Sequence, residues 1–143
     1  MAATYFKDIR AAIKKLIDDN ADTIQEVYSY ERSTFGGFPA VVIAPSDNEA
    51  EYGSTTNDKL TFVFKIKIYN EVAKEAEHEE AEEVMEGAVD ELLSLFLGRG
   101  VLGSACEWVT PVPGTWYYEE RANGLYRVAE LTIKCVKHIS HTV

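Results

Sequence analysis

The sequence predicts an α+β fold: a mixed, largely antiparallel sheet of about five to six strands with two helices packed on one face, in the order α-β-β-β-α-β-β-β. Three observations carry this reading. Residues 4–20 and 71–97 repeat their apolar side chains at three- and four-residue steps, the helical period. Residues 60–69 and 126–138 alternate sides, the strand period. The whole chain has 143 residues, which suits one domain spanning 1–143 with a core that needs no staples.

The elements follow in order. In 4–20 the apolar face is Tyr5, Phe6, Ile9, Ala12, Ile13, Leu16 and Ile17, with Asp8, Lys14, Lys15 and Asp18 opposite. Asp19-Asn20 is the expected exit. Thr23–Arg32 is expected as a strand marked by Ile24, Val27 and Tyr28. Gly36-Gly37 supplies a turn. Ala40–Ala44 is a short strand closed by Pro45. The polar stretch 45–59 is expected as a long loop, with Tyr52 its one large apolar group.

In Leu60–Tyr69, Leu60, Phe62, Phe64, Ile66 and Ile68 face the core. Thr61, Val63, Lys65, Lys67 and Tyr69 form a second face that is expected to be wet or covered by a partner. Glu71–Leu97 is expected as a helix buried through Ala81, Val84, Met85, Ala88, Leu92, Leu95 and Phe96, and stopped by Gly98 and Gly100. Its first half is crowded with glutamates, which a helix N-terminus tolerates. Ser104–Val112, Thr115–Glu120 and Tyr126–His138 read as strands. Pro111 and Pro113 mark a sheet edge or strand end, and Ala122-Asn123-Gly124 marks a hairpin turn.

Composition narrows the function. The formal net charge is −10, which weighs against a nucleic-acid-binding surface, because phosphate contact needs a basic face. No apolar run reaches the roughly 18 residues of a membrane span. The start of the chain lacks the basic-then-apolar layout of a secretory leader. Cys106 and Cys135 have no metal-ligand spacing and are expected to be reduced and buried.

No catalytic constellation assembles from the sequence. His78 and Glu82 share a helix face, but a metal site needs three or four convergent ligands. No GxSxG is present, and His138 and His141 lie at the chain end. Gly98-Arg99-Gly100-Val101-Leu102-Gly103 has dinucleotide-fingerprint spacing. It follows a helix and precedes a strand, whereas a phosphate cradle follows a strand and opens a helix. No catalytic residue, cofactor or metal is therefore expected.

The aromatic residues are more informative. Trp116-Tyr117-Tyr118 cannot all face one core, since a strand alternates sides. Either Tyr117, or Trp116 together with Tyr118, must look outward. Phe35 and Phe38 bracket a turn and read either as caps over the core edge or as contact residues.

Several segments carry a resemblance to a known family. Phe38-Pro39-Ala40-Val41-Val42-Ile43, then Pro45-Ser46-Asp47-Asn48-Glu49, a loop with Tyr52, and Phe62-Val63-Phe64-Lys65-Ile66-Lys67-Ile68-Tyr69 resemble the tail terminator (neck or minor tail) proteins of long-tailed bacteriophages. Leu102-Gly103, Thr110-Pro111-Val112-Pro113 and Arg127-Val128-Ala129-Glu130-Leu131 fit the same pattern, as does the length.

The resemblance implies a virion protein assembled in the host cytoplasm. It implies a homo-hexameric ring on the head-proximal end of the tail tube, which stops tube growth and presents the surface for the head–tail connector. DNA would pass through the lumen without specific binding. The partners implied are further copies of the chain, the tail tube protein and the connector protein, with no membrane. Six copies at −10 would give a ring of about −60, a wall that does not retain passing DNA.

On this reading the expected interface residues are Phe35, Phe38, Glu49, Tyr52, Lys65, Lys67, Trp116 and Tyr117, with the 45–59 loop acting as an arm that orders on a neighbour. Two readings compete: a head-completion or connector protein of the same neck, and a small non-catalytic α+β domain that binds a ligand in an apolar pocket.

Overall fold

The computed structural model describes residues 5–30, 34–45, 49–52, 57–72, 78–99, 101–121 and 124–140. At its centre lie two long antiparallel strands, β4 (Asn57–Glu71) and β7 (Gly124–Ser140), paired from Asn57↔Ser140 to Glu71↔Tyr126. On one side of β4 lie β2 (Ala40–Pro45) and β3 (Glu49–Tyr52), and β1 (Glu26–Tyr28) pairs parallel with β2. On the far side of β7 come β6 (Trp108–Arg121) and then β5 (Gly98–Arg99). The sheet has seven strands, in the order β1-β2-β4-β7-β6-β5 with β3 beside β4. One parallel pair in an otherwise antiparallel sheet makes it mixed, as expected.

Helix α1 (Tyr5–Asn20) buries Ile9, Ile13 and Ile17 completely, one above the next along a single face. Each of these burials contributes about 2 kcal/mol of transfer free energy. The helix ends where the sequence suggested: the Asn20 side-chain amide donates to the Leu16 carbonyl at 3.0 Å, and the Ala21 N–H to the Ile17 carbonyl at 2.9 Å. Helix α2 (His78–Phe96) buries Ala81, Met85, Ala88, Val89, Leu92 and Phe96. Both helices cover the same sheet face, because their buried residues form one cluster with Phe62, Phe64, Ile66 and Ile68 of β4 and Ala129, Leu131, Ile133 and Cys135 of β7. The α+β class with both helices on one face is therefore the observed architecture.

Several boundaries differ from the sequence reading. The segment 45–59 is not one long loop: β3 and the start of β4 pair as a hairpin, from Glu49↔Thr61 to Tyr52↔Asp58. Residues 46–48 and 53–56 lie outside the described residues. The pairing register on β4 shifts by one residue between Pro45 and Glu49, so β2 and β3 run end to end along one side of β4. Leu60 packs against the helix-side core. The sequence before it shows no hydrophobic alternation, so its period gives no strand signal.

The first strand is only Glu26–Tyr28, shorter than the expected Thr23–Arg32. Strand β4 continues through Glu71, where a helix was expected to start; the described helix is His78–Phe96, and residues 73–77 lie outside the described residues. After α2, Gly98 enters β5, and Gly103–Ala105 form a 3-10 turn. The expected strands 104–112 and 115–120 are one strand, β6, with a register shift between Pro113 and Trp116. The paired prolines produce an irregularity at an edge and not a chain reversal. Gly114 sits in that irregularity, where an added Cβ would lie 2.6 Å from the Glu130 carbonyl oxygen. The turn read at Ala122-Asn123-Gly124 joins β6 to β7, and within it only Gly124 is described, with φ +144.

Candidate functional site

The functional features lie on the sheet face turned away from the helices. Cross-strand pairing sets its layout in rows. Tyr117, Val128, Tyr69 and Ala40 form one row. Glu130 and Lys67 pair in the next, followed by Val112, Thr132 and Lys65, then Thr110, Lys134 and Val63, and finally Trp108, Val136 and Thr61. The face was expected to be wet or partner-covered along its length, and it is instead divided.

At the Tyr69 end a second cluster covers it. Val42, Tyr69, Tyr126 and Val128 are buried, with Tyr28, Phe35, Phe38 and Tyr117 packed against them. The segment 34–39 folds over as a lid with a cis Phe38-Pro39 peptide. The Phe35 ring centre lies 4.8 Å from that of Tyr69, 5.8 Å from Phe38 and 5.8 Å from Tyr28. The Tyr28 hydroxyl accepts from the Gly36 N–H at 3.0 Å and ties the lid to β1.

Arg121 closes this box. Its guanidinium lies 5.3 Å from the Phe35 ring centre, 5.0 Å from Tyr69 and 5.9 Å from Tyr126. It donates to Glu119 at 2.6 Å and to the Tyr69 hydroxyl at 3.2 Å. A cation already stacked on these rings fills the space where a ligand cation would sit. The geometry favours a structural cap over a binding cage.

Next to the box, Glu130 accepts from Tyr117 and pairs with Lys65 at 3.2 Å. Burial works against ionisation of Glu130, but the hydrogen bonds from Tyr117 and Lys65 outweigh it and hold its carboxyl below the ordinary range. Burial, with the Glu130 carboxylate beside it, pushes the Tyr117 phenol well above its usual value. Beyond this trio the face is open along β6, where Trp108 is 48% exposed and Val112 40%, near Lys67 and Lys134, while Val63 and Thr61 on β4 are buried.

On the opposite surface the outer face of α2 is acidic, while α1 beside it is mixed, with Lys7, Arg10, Lys14 and Lys15 against Asp8, Asp18 and Asp19. Exposed on α2 are Glu79, Glu80, Glu83, Glu86 and Asp90, and the helix holds no lysine or arginine. Glu82 pairs instead with Arg127 of β7, whose guanidinium stacks on Trp116 at 5.4 Å and Tyr118 at 4.6 Å. Glu91 accepts from the Thr23 N–H at 3.1 Å and fixes α2 to the chain after α1.

Of the eight residues proposed from the sequence, the structure brings five to this face. Phe35, Phe38 and Tyr117 belong to the aromatic box, so the reading of Phe35 and Phe38 as caps over the core edge describes their packing. Lys65 and Lys67 lie on the open part. Trp116 is not with them, because it packs against the helix-side core. Alternation puts Trp116 and Tyr117 on opposite faces, each partly buried; the register shift before Trp116 turns Trp116 toward the helices and Tyr117 away, and Tyr118 is 47% exposed. Glu49 and Tyr52 stand at the two ends of β3, and their side chains lie outside the described residues.

Sequence reasoning missed Trp108, Val112 and Arg121. Trp108 and Val112 shared a strand with Pro111, and their common side was legible from the alternation alone. Arg121 gave no signal, since its ring partners come from distant strands.

Grooves open on the surface among the described residues. One of about 260 Å³ lies between Phe38, Asn70, Ala81 and Val84. Two more, of about 270 and 460 Å³, adjoin along α1 at Ala12 and Leu102. None gathers convergent acid, base and nucleophile, and no group of three or more metal-ligand side chains occurs among the described residues. No described helix is long and apolar enough to cross a membrane.

No family model and no curated protein matches the chain. Among solved structures, the chain is similar to a component of the virion of a native gene transfer agent particle, with TM-score 0.60 and 14% identity, over 94% of this chain and 98% of that one. At that identity, the likeness shows that the two chains share a fold from end to end.

Proposed function

We propose that this chain is a structural protein of a phage-like virion, a tail terminator that forms a ring on the head-proximal end of the tail tube, stops tube growth and offers the joining surface for the head. The observation that carries the reading is the end-to-end fold likeness to a component of a gene transfer agent virion, which leaves almost no part of either chain unmatched. The family resemblance of the segments around Phe38–Glu49 and Phe62–Tyr69 agrees with it.

The geometry supports assembly over catalysis. Its distinctive surfaces are a sheet face with exposed Trp108 and Val112, the acidic outer face of α2, and the edge of β6 beyond Val109, which has no further strand beside it among the described residues. Such surfaces recognise proteins. The polar β3–β4 hairpin replaces the loop of the sequence reading as the element that reaches beyond the core, toward the tube or the connector.

Electron microscopy of particles lacking this gene tests the proposal. A terminator predicts headless tails of variable and excessive length. Free tails of normal length beside leaking heads would move the protein to the head side of the joint, and particles like wild type would reject a virion role.

A further inference from the structure

We propose that successive copies in the ring join by docking the acidic outer face of α2 in one copy onto the open sheet face of the next, around Trp108, Val112, Lys65 and Lys134. The inference rests on the ring-forming reading and specifies its interface.

Four observations converge on it. The first is charge. The outer face of α2 presents Glu79, Glu80, Glu83, Glu86 and Asp90 with no lysine or arginine on the helix. Glu79 and Glu83, and Glu86 and Asp90, are spaced i,i+4, where like charges destabilise an isolated helix. The open sheet face carries Lys65, Lys67 and Lys134 against Glu130. Each surface relieves the excess charge of the other.

The second is shape. Gly87 lies in the middle of the exposed face of α2, with open space where a Cβ would stand. It has no positive φ, so the backbone does not require glycine there. Glycine inside a helix costs about 1 kcal/mol relative to alanine. A close approach from outside explains its presence: the helix is flat where an aromatic side chain could lie against it.

The third is apolar area. Among the described residues, Trp108 and Val112 are two of the few large apolar residues left exposed, and they project from one side of β6, Val112 in the row of Lys65 and Trp108 in the row next to that of Lys134. A docking surface with an apolar centre and charged surroundings has the make-up of a protein interface. The aromatic box beside it is already filled by Arg121, so the open rows are the part left to a partner.

The fourth is position. The acidic face belongs to the helix layer, and the lysine face is on the other side of the sheet. A contact between them is head-to-tail. An open series keeps one free surface of each kind at its two ends, and it is complete only where the rotation between copies closes it into a ring.

The test is a charge exchange on the full chain, read by mass in solution at low salt. The wild type is expected to associate, and added salt to weaken it. Lys65→Glu/Lys134→Glu and Glu83→Lys/Glu86→Lys are each expected to lower the association constant roughly tenfold or more. A mixture of the two variants is expected to recover association in alternating order, because each then offers the charge that the other lacks. Gly87→Gln serves as a fold-safe control: it is expected to raise the melting temperature while weakening association.

A wild-type chain that stays monomeric at low salt, rings that survive both charge reversals, or variants that do not recover on mixing would each overturn this interface. Rings that persist in Lys65→Glu/Lys134→Glu but no longer bind tail tubes would assign the sheet face to the tube protein and overturn it as well. Overlong tails in the gene deletion would leave the terminator reading standing in each of these cases.

Discussion

The guanidinium of Arg121, near the end of β6, lies 5.3 Å from the centre of the Phe35 ring, in the segment that folds over the sheet. The contact joins the lid to the far side of the sheet across Tyr69 and Tyr126. Arg121→Ala is expected to lose its ring contacts and its bonds to Glu119 and Tyr69, at a cost of about 2 kcal/mol. Arg121→Lys is expected to recover less than half, since an ammonium lacks the planar fork that both stacks and donates twice. Urea unfolding of the three chains measures both values.

Gly114 is fixed by close approach. An alanine Cβ there would sit 2.6 Å from the Glu130 carbonyl oxygen, a backbone atom that cannot turn aside. Gly114→Ala is expected to destabilise by about 1–3 kcal/mol and to disturb the register between Pro113 and Trp116. Amide chemical shifts along β6 and β7 would show the disturbance spreading from that point, and unchanged shifts would refute the steric account.

Glu130 gives the open face an acid-sensitive centre. Its folded-state carboxyl titrates below the ordinary range, so the unfolded chain binds the proton more readily. This contribution is fully present above the ordinary carboxylate range and is lost as pH falls through the depressed folded value. Glu130→Gln is expected to be less stable than wild type at neutral pH and to narrow the gap under acid. Thermal melts across pH check the sign: a gap that widens under acid would contradict it.

Cys106 and Cys135 are both free and buried, and their thiols interact in the core. The hydrogen bond with Cys106, together with burial, pushes the Cys135 thiol well above its usual value, while the Cys106 thiol is lowered by the same bond. Cys135 is expected to stay unmodified by an aromatic disulfide reagent until the protein unfolds, with a rate that follows urea concentration. Rapid modification of Cys135 in native buffer would show that the core opens locally there.

Both helices and the long strands were legible in the sequence because a core imposes its period on whatever touches it. Ile9, Ile13 and Ile17 mark α1, and Phe62, Phe64, Ile66 and Ile68 mark β4, because each meets the same apolar layer. The β3–β4 hairpin reads as a loop in the sequence because it extends past Leu60, where hydrogen bonds to the neighbouring strand hold it without apolar alternation. The prolines in β6 read as a sheet edge or a strand end; among the described residues they lie at an edge, and the strand continues past them through a register shift.

The candidate surface was half legible. Alternation alone places Lys65 and Lys67 on the outward face, and the structure pairs that face with Glu130 and Lys134 of β7. Trp116 and Tyr117 need opposite directions on any strand, but which of them faces the helices is set by the register shift at Gly114, where the chain meets Glu130, a contact between strands that no local pattern records. The aromatic box likewise draws on residues from β1, the lid, β4, β6 and β7, which only the sheet order brings together.

The pairing of β4 with β7 also has a mechanical meaning. Their ladder runs without interruption from Asn57↔Ser140 to Glu71↔Tyr126, with further strands on either side. A pull along these strands loads all the rungs in shear at once, whereas a pull across them would open the ladder one rung at a time. The subunit is therefore stiff along the strand axis and yields more easily across it. In the ring-forming role proposed above, load is borne best with that axis along the line of force.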